Sequence, residues 1–244
     1  MLMSIGELKW RWRIAPISVL HVGAHLAEES DLYRAAGWNN VTWIEANPEV
    51  VRDLRRKVQP MGHQVIEAAV WHSDDELLSF SVASNGQSSS LLEFREHSSL
   101  YPEIVVEKKL MMRTSRVETL LSDNDPPDFC NLDIQGAELS ALQGFGTILG
   151  GVQAIYTEVN KAELYEGCAR IDEMDVFLGE AGFRRVATRW VLGFGWGDAL
   201  YLRQSPSLVR RALGVYWPLG FYARQLPAPV IQLLRKWARR VLKK

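Results

Sequence analysis

Residues 128–133 end in Asp133, and the small-residue turn Gln135-Gly136-Ala137 leads into Glu138-Leu139. An apolar run closed by an acid reads as a buried strand, here one that feeds a helix beginning near Ala137. The earlier stretch Val19-Leu20-His21-Val22-Gly23-Ala24-His25 is built the same way. In open α/β sheets, ligands bind outside the carboxyl ends of the strands, where the strand order reverses. Two such strand ends predict one crevice, with Asp133 at its mouth. A carboxylate there can serve as a general base, a role worth about 10²–10⁴-fold. Glu158, Glu138 and His72 are the other candidate bases, and Asn160 ends its strand beside Glu158. Glu138 is either part of the site or a cap that favours the positive end of its helix. Asp133, Glu158 and a histidine have the oxygen-rich chemistry that suits Mg²⁺. No spacing demands a metal, and none is assigned.

Gly23 lets a ligand approach the backbone without a side chain between them. A helix following at once would present unpaired N–H groups and a positive dipole end, suited to a carboxylate or phosphate. Glu45 closes the next strand, 22 residues after Gly23. A carboxylate there can accept hydrogen bonds from both hydroxyls of a ribose. Dinucleotide enzymes also place an acid at this point, but with three glycines in the first turn. Here His25 and Ala27 stand in the turn. A pyrophosphate would find little backbone to approach, whereas a methionine-type cofactor with one carboxylate needs less.

The elements that position these residues alternate. Strands are predicted at 17–22, 41–45, 64–70, 128–133, 152–159, 183–188 and 198–203, with extra strands at 77–82 and 104–112. Helices are predicted at 26–36 with Gly37 as the stop, from Pro48 to about Val58, from about Ala137, and at 171–181 before Gly182. This alternation argues for an α/β domain with a mostly parallel sheet and helices on both faces. The loop Ser84-Asn85-Gly86-Gln87-Ser88-Ser89-Ser90 offers hydroxyls and amides to a polyhydroxyl ligand, or is a plain solvent loop.

At this point the chain resembles the FkbM-type methyltransferases, which use S-adenosylmethionine on a Rossmann-like class I fold. The matching pieces are His21-Val22-Gly23-Ala24-His25, Ile44-Glu45-Ala46-Asn47-Pro48, Ala68-Ala69-Val70, Ser88-Ser89-Ser90-Leu91 and Val117-Glu118-Thr119-Leu120. Leu132-Asp133-Ile134-Gln135-Gly136-Ala137-Glu138, Glu158-Val159-Asn160 and Leu164-Tyr165 follow in the family's order. The resemblance implies a seven-stranded sheet whose last strand is antiparallel. It implies that Gly23 and Ala24 face the methionine part of the cofactor, that Val22 and His25 also contact the cofactor, and that Glu45 holds the ribose. Ala46, Asn47, Ala68 and Ala69 would flank the adenosine. Asp133 would stand next to the methyl sulfonium as cofactor contact and catalytic base, with Glu158 as a second catalytic carboxylate. Ser88, Ser89, Glu138 and Asn160 would meet the acceptor. The chain departs from the family at His21, where an acid is common, and at Ala27, where a glycine often stands. The family methylates hydroxyls on varied natural products and glycans, so the expected acceptor is a saccharide or related small molecule.

Composition sets the remaining bounds. Hydrophobic residues make up 47% and charged residues 23% of the 244 residues, enough for a substantial core. No run of 18 apolar residues is present, and Lys9, Arg11 and Arg13 interrupt any leader. Cys130 and Cys168 make no disulfide framework, and a reducing cytoplasm is the natural reading. The net charge of −1 hides an asymmetry. Residues 199–244 hold ten Lys or Arg and no acid, leaving 18 basic and 29 acidic residues before them. The expected division is a methyltransferase domain at 1–204 and a C-terminal extension at 205–244. Over 230–244, Leu233, Leu234, Trp237, Val241 and Leu242 fall on one helical face, with the basic residues opposite. With the aromatic segment before it, this helical tail (216–244) either lies on anionic lipid at the inner face of a membrane or packs on its own domain or a second subunit. No nucleic-acid motif is present, and none of that class is expected as a partner. Two other functions stay open: a nicotinamide-dependent oxidoreductase, and a non-catalytic membrane-associated protein that has kept the fold.

Overall fold

The computed structural model describes residues 1–122 and 125–204. The extension at 205–244 and its predicted helix lie outside the described residues. Helix α1 (Ile5–Trp10) precedes β1 (Val19–Val22), and α2 (Ser30–Ala36) joins that strand to β2 (Val41–Glu45). Helix α3 (Pro48–Val58) leads to β3 (Gln64–Glu67). An excursion follows, made of β4 (Ala69–Val70), β5 (Leu77–Ala83), α4 (His97–Leu100), β6 (Val106–Ser115) and α5 (Val117–Leu120). The chain then returns through β7 (Phe129–Leu132), α6 (Glu138–Gln143), β8 (Ala154–Asn160), α7 (Ile171–Glu180), β9 (Phe183–Trp190) and β10 (Trp196–Arg203).

The main sheet has seven strands in the order β3-β2-β1-β7-β8-β10-β9. β10 is antiparallel to both neighbours, and the strands from β3 to β8 are parallel. Counted within this sheet alone, the order is 3-2-1-4-5-7-6. β1, β7 and β8 are buried along their whole length, as strands covered by helices on both faces must be. Leu20, Val22, Cys130, Leu132 and Ile155 pack into one core cluster. Val19, Trp43, Phe129 and Tyr156 pack into another. Cys130 is a free thiol wholly inside the first of these, and Cys168 is also free and buried.

Register explains why distant residues converge. Val22 is level with Ile44 on one side and Leu132 on the other. Gly23 and Asp133 therefore leave the sheet beside Glu45, the last residue of β2, at the point where the strand order reverses. That is where α/β sheets bind ligands.

Two elements differ from expectation. The run 64–70 divides: β3 stays in the main sheet, while β4 pairs with β6 in a small three-stranded sheet beside β5. The helix expected from residue 26 begins at Ser30. Residues before it turn instead, with His25 at φ +42° and Ala27 at φ +49°. By contrast Pro48 opens α3 and Val58 closes it, and Gly37 stops α2 at φ +84°.

Candidate active site

The turn after β1 is tied to the strand beside it. The N–H groups of Gly23 and Ala24 both donate to the Ile44 carbonyl, at 2.9 and 3.0 Å. Gly23 has φ +85°, and a Cβ there would sit 1.9 Å from the Asp133 carbonyl oxygen. The glycine thus serves first to let two strand ends pass each other. The helix start expected to offer free N–H groups at this point is absent. The His25 N–H donates instead to Glu45 Oε2 at 2.7 Å, and the Asn47 N–H to Glu45 Oε1 at 2.7 Å. Glu45 is buried and clamps both turns. Burial pushes its carboxyl above the usual range, while the two N–H donors pull the other way. Each oxygen keeps a lone pair for a ribose hydroxyl.

The crevice that Glu45 borders also has Val22, Ala46, Ala68 and Ala69 in its walls. Asn47 is not among its lining residues. It is buried, and its Oδ1 caps α3 by accepting from the Glu49 N–H at 3.1 Å. The crevice is only about 60 Å³, but it shares Gly23, His25, Gln87 and Asp133 with a cavity of about 420 Å³. Small-molecule sites run to roughly 300–1,000 Å³. The residues suit a nucleoside with an amino-acid arm: a buried carboxylate, small walls and an open cavity beyond. The narrow part is also bordered by Gly86, Gln87 and Ser89. Ser89 is spent within the loop: its hydroxyl donates to the Gly86 carbonyl and accepts from the Ala83 N–H. Ser88 faces the larger cavity, with Asn85 Nδ2 donating to its hydroxyl at 3.0 Å.

Asp133 and Glu158 both line that larger cavity, along with Ala24. Gln135 Nε2 donates to Asp133 Oδ1 at 2.8 Å and to Glu158 Oε2 at 3.1 Å. The Tyr165 hydroxyl donates to Gln135 Oε1 at 2.5 Å. Gln135 holds this bridge from a left-handed backbone, φ +57°. Its turn is braced by Ser90 Oγ, which donates to the Gln135 carbonyl at 2.8 Å. Glu138 Oε1 adds a second brace, accepting from the Ile134 and Gly136 N–H groups at 3.0 and 3.2 Å. Glu138 is therefore turned into the backbone and does not line the cavity, and its burial lifts the carboxyl to about 7. Asn160 is likewise off the cavity, at 1% exposure. Glu138 and Asn160, expected to meet the acceptor, are not among the residues that line the cavity. His72 is exposed and borders neither space.

Burial lifts the Asp133 carboxyl, with Asp198 adding to the rise and the Gln135 hydrogen bond opposing it. The residue is still open to water along the cleft, so burial acts in full only when a ligand fills the space. Glu158 is raised well above the carboxylate range by burial, then by the charges of Asp133, Glu138 and Asp198.

Asp198 was not expected at the site. Antiparallel register sets it opposite Glu158, and it accepts from the Tyr156 hydroxyl and from the Leu2 N–H at 2.6 Å. Its one signal is a lone acid in the otherwise uncharged run Trp196-Gly197-Asp198-Ala199-Leu200. His97, Tyr101 and Trp196 also line the cavity, and no spacing pointed to them.

His21, where the family commonly has an acid, stacks on Trp43 with ring centres 4.7 Å apart. Its Nδ1 lies 3.2 Å from the Tyr33 hydroxyl, which also accepts from Asn131 Nδ2 at 3.0 Å. Burial lowers the imidazole from 6.5 to about 4, so it is neutral in the fold. The unfolded chain binds this proton more readily, so stability falls as pH drops from 6.5 towards 4. The loss reaches about 3 kcal/mol. His21→Gln is expected to remove that loss. Urea unfolding of both proteins at pH 7 and pH 5 reads it as a difference in pH slope, which the buried acids leave common to the pair.

A doubly covered sheet of order 3-2-1-4-5-7-6, with an acid closing its second strand, has the class I methyltransferase fold. The chain belongs to the FkbM methyltransferase family, whose domain model matches residues 21–185, and is an S-adenosylmethionine-dependent methyltransferase. No curated protein matches it. Among solved structures it is similar to magnesium protoporphyrin IX methyltransferase from Synechocystis PCC 6803 with bound SAM. That pair shares 10% identity over 76% of this chain and 69% of the other, with a TM-score of 0.45. It is also similar to the ribosomal protein L11 methylase of Lactobacillus delbrueckii subsp. bulgaricus, at 10% identity over 80% and 74%, TM-score 0.46. A third is M. capricolum TrmK in complex with S-adenosyl-homocysteine, at 6% identity over 84% and 70%, TM-score 0.47. Among the described residues no cluster of three or more His, Cys, Asp or Glu is set to hold a metal. No described helix is long and apolar enough to cross a membrane.

Proposed function

We propose that the protein methylates a hydroxyl of a saccharide or related polyhydroxyl small molecule, with Asp133 as the base. The observation that carries this reading is the bridge Asp133–Gln135–Glu158, which lies in the wall of a cavity adjoining the Glu45 crevice. Glu45 would hold the cofactor's ribose, with Ala46, Ala68 and Ala69 leaving room for the adenosine. Gly23, Ala24 and His25 would border its methionine arm. Bound there, S-adenosylmethionine supplies an electrophilic methyl group on a sulfonium, whose sulfur keeps the electrons of the bond that breaks. Asp133 takes the proton of the attacking hydroxyl, and its raised affinity for a proton in the filled cleft favours that transfer. Gln135 fixes the carboxylate's orientation, and the cavity walls hold the acceptor in line. The experiment is methyl transfer from labelled S-adenosylmethionine to a saccharide panel, with products read as O-methyl ethers. Label on carbon or nitrogen alone would sink the hydroxyl assignment.

The cytoplasm, at the inner face of a membrane, is the setting we propose, with residues 216–244 resting on anionic lipid and the acceptor lipid-linked. Support comes from the basic and apolar faces that a helical period gives over 230–244. A basic residue near such a surface contributes about 1 kcal/mol. Changing Arg235, Lys236, Arg239 and Arg240 to Gln is therefore expected to weaken binding to vesicles containing phosphatidylserine by more than about tenfold. Flotation of the full chain measures it. A dimer that ignores vesicles would favour subunit packing instead.

A further inference from the structure

We infer that the acceptor carries an ammonium beside its reacting hydroxyl, as an amino sugar does, and that Glu158, Asp198 and the aromatic wall of the larger cavity receive it. This rests on the acceptor-side reading above and names the charge that the site selects.

The lining of the cavity carries an excess of acids. It holds five carboxylates, Glu28, Glu29, Asp133, Glu158 and Asp198, against no Lys or Arg and one α-ammonium, that of Met1, which lies 3.9 Å from Glu29. His25 meets Glu28 at 2.6 Å. Asp133, Glu158 and Asp198 take part in none of the ion pairs among the described residues. Glu158 and Asp198 are 7% and 6% exposed. Buried carboxylates are normally paired with a cation or forced to hold a proton. The cofactor brings one net positive charge, which does not balance three acids. A phosphorylated, sulfated or uronic acceptor would add to the imbalance, and a neutral polyol would leave it.

The wall offers what an ammonium needs besides charge. An ammonium has three donors and no acceptor. His97 lines the same cavity at 4% exposure, and its Nδ1 has no hydrogen-bond partner among the described residues. Burial lowers that imidazole, which disfavours a competing cation in the wall. Tyr101 and Trp196 are the half-buried aromatics of this lining. Tyr101 is fixed by stacking on Phe194, with centroids 5.3 Å apart, and by the Trp196 indole N–H at 3.0 Å. Aromatic side chains beside carboxylates are how proteins recognise organic cations.

The test compares three sugars of one scaffold on the full chain saturated with S-adenosylhomocysteine. D-glucosamine, D-glucose and D-glucuronate are titrated at pH 7 and fixed ionic strength and followed by ligand-observed NMR. Glucosamine is expected to bind at least about tenfold tighter than glucose, with glucuronate weakest. Glu158→Gln and Asp198→Asn are each expected to erase about tenfold of that preference, as loss of a charge-assisted contact does. S-adenosylhomocysteine affinity, measured on each variant, reports that the fold is kept. Equal binding of the three sugars, a preference for glucuronate, or undetectable glucosamine binding would overturn the inference while the cofactor reading stands. Failure of the unmodified protein to bind S-adenosylhomocysteine would overturn both.

Discussion

Gly23→Ala is expected to lower the melting temperature by about 6–12 °C, the shift that a loss of about 3 kcal/mol gives in a domain of this size. Two effects add. A left-handed backbone costs a non-glycine residue about 1–2 kcal/mol. The new Cβ would also sit 1.9 Å from the Asp133 carbonyl oxygen, a backbone atom that cannot swing aside. Overpacking of that kind costs about 1–3 kcal/mol. Gly37→Ala separates the terms, because Gly37 has nearly the same φ, +84°, and a Cβ there would meet nothing within 4 Å. It is expected to show the backbone cost alone, so a fall as large as that of Gly23→Ala would refute the steric account. Because the clash separates β1 from β7, Gly23→Ala is also expected to weaken cofactor binding. Thermal unfolding with and without S-adenosylhomocysteine measures both losses.

Asp133→Asn is expected to lower turnover by about 10²–10⁴-fold. Asparagine keeps the shape and the oxygen that accepts from Gln135 Nε2, but cannot take a proton at its amide. Binding of S-adenosylhomocysteine is expected to stay within a few-fold of the unmodified protein, because Glu45 and the small-walled crevice are untouched. Single-turnover methyl transfer to an acceptor from the saccharide screen reads the first number, and calorimetry the second. Unchanged turnover would remove Asp133 from the role of base and move attention to Glu158.

Much of this site is legible in the sequence, for a physical reason. Gly23, Glu45 and Asp133 each stand at or just past the end of a short buried strand, and parallel register carries strand ends to one level. Ala46, Ala68 and Ala69 belong to the same strand ends and also reach the crevice. Residues whose places depend on tertiary bonds are less legible. The backbone from His25 to Ala27 turns where a helix was expected, because the His25 N–H is captured by a carboxylate 20 residues away. Glu138 and Asn47 have the residue types of a site but spend their oxygens on nearby backbone N–H groups. Asp198 reaches the cavity through antiparallel pairing with β8, which no local pattern announces. His97 and Tyr101 come from the excursion between β5 and β6, whose packing has no counterpart in strand or helix periodicity.

The central claim is that the Glu45 crevice binds the cofactor, and calorimetric titration with S-adenosylhomocysteine tests it most directly. Micromolar binding by the unmodified protein is predicted, with at least about tenfold weaker binding by Glu45→Ala, which loses charged acceptors for both ribose hydroxyls. Thermal unfolding of the variant shows whether the two freed N–H groups have cost the fold itself. Absence of binding, with or without Mg²⁺, or equal binding by a folded Glu45→Ala protein, would contradict the claim.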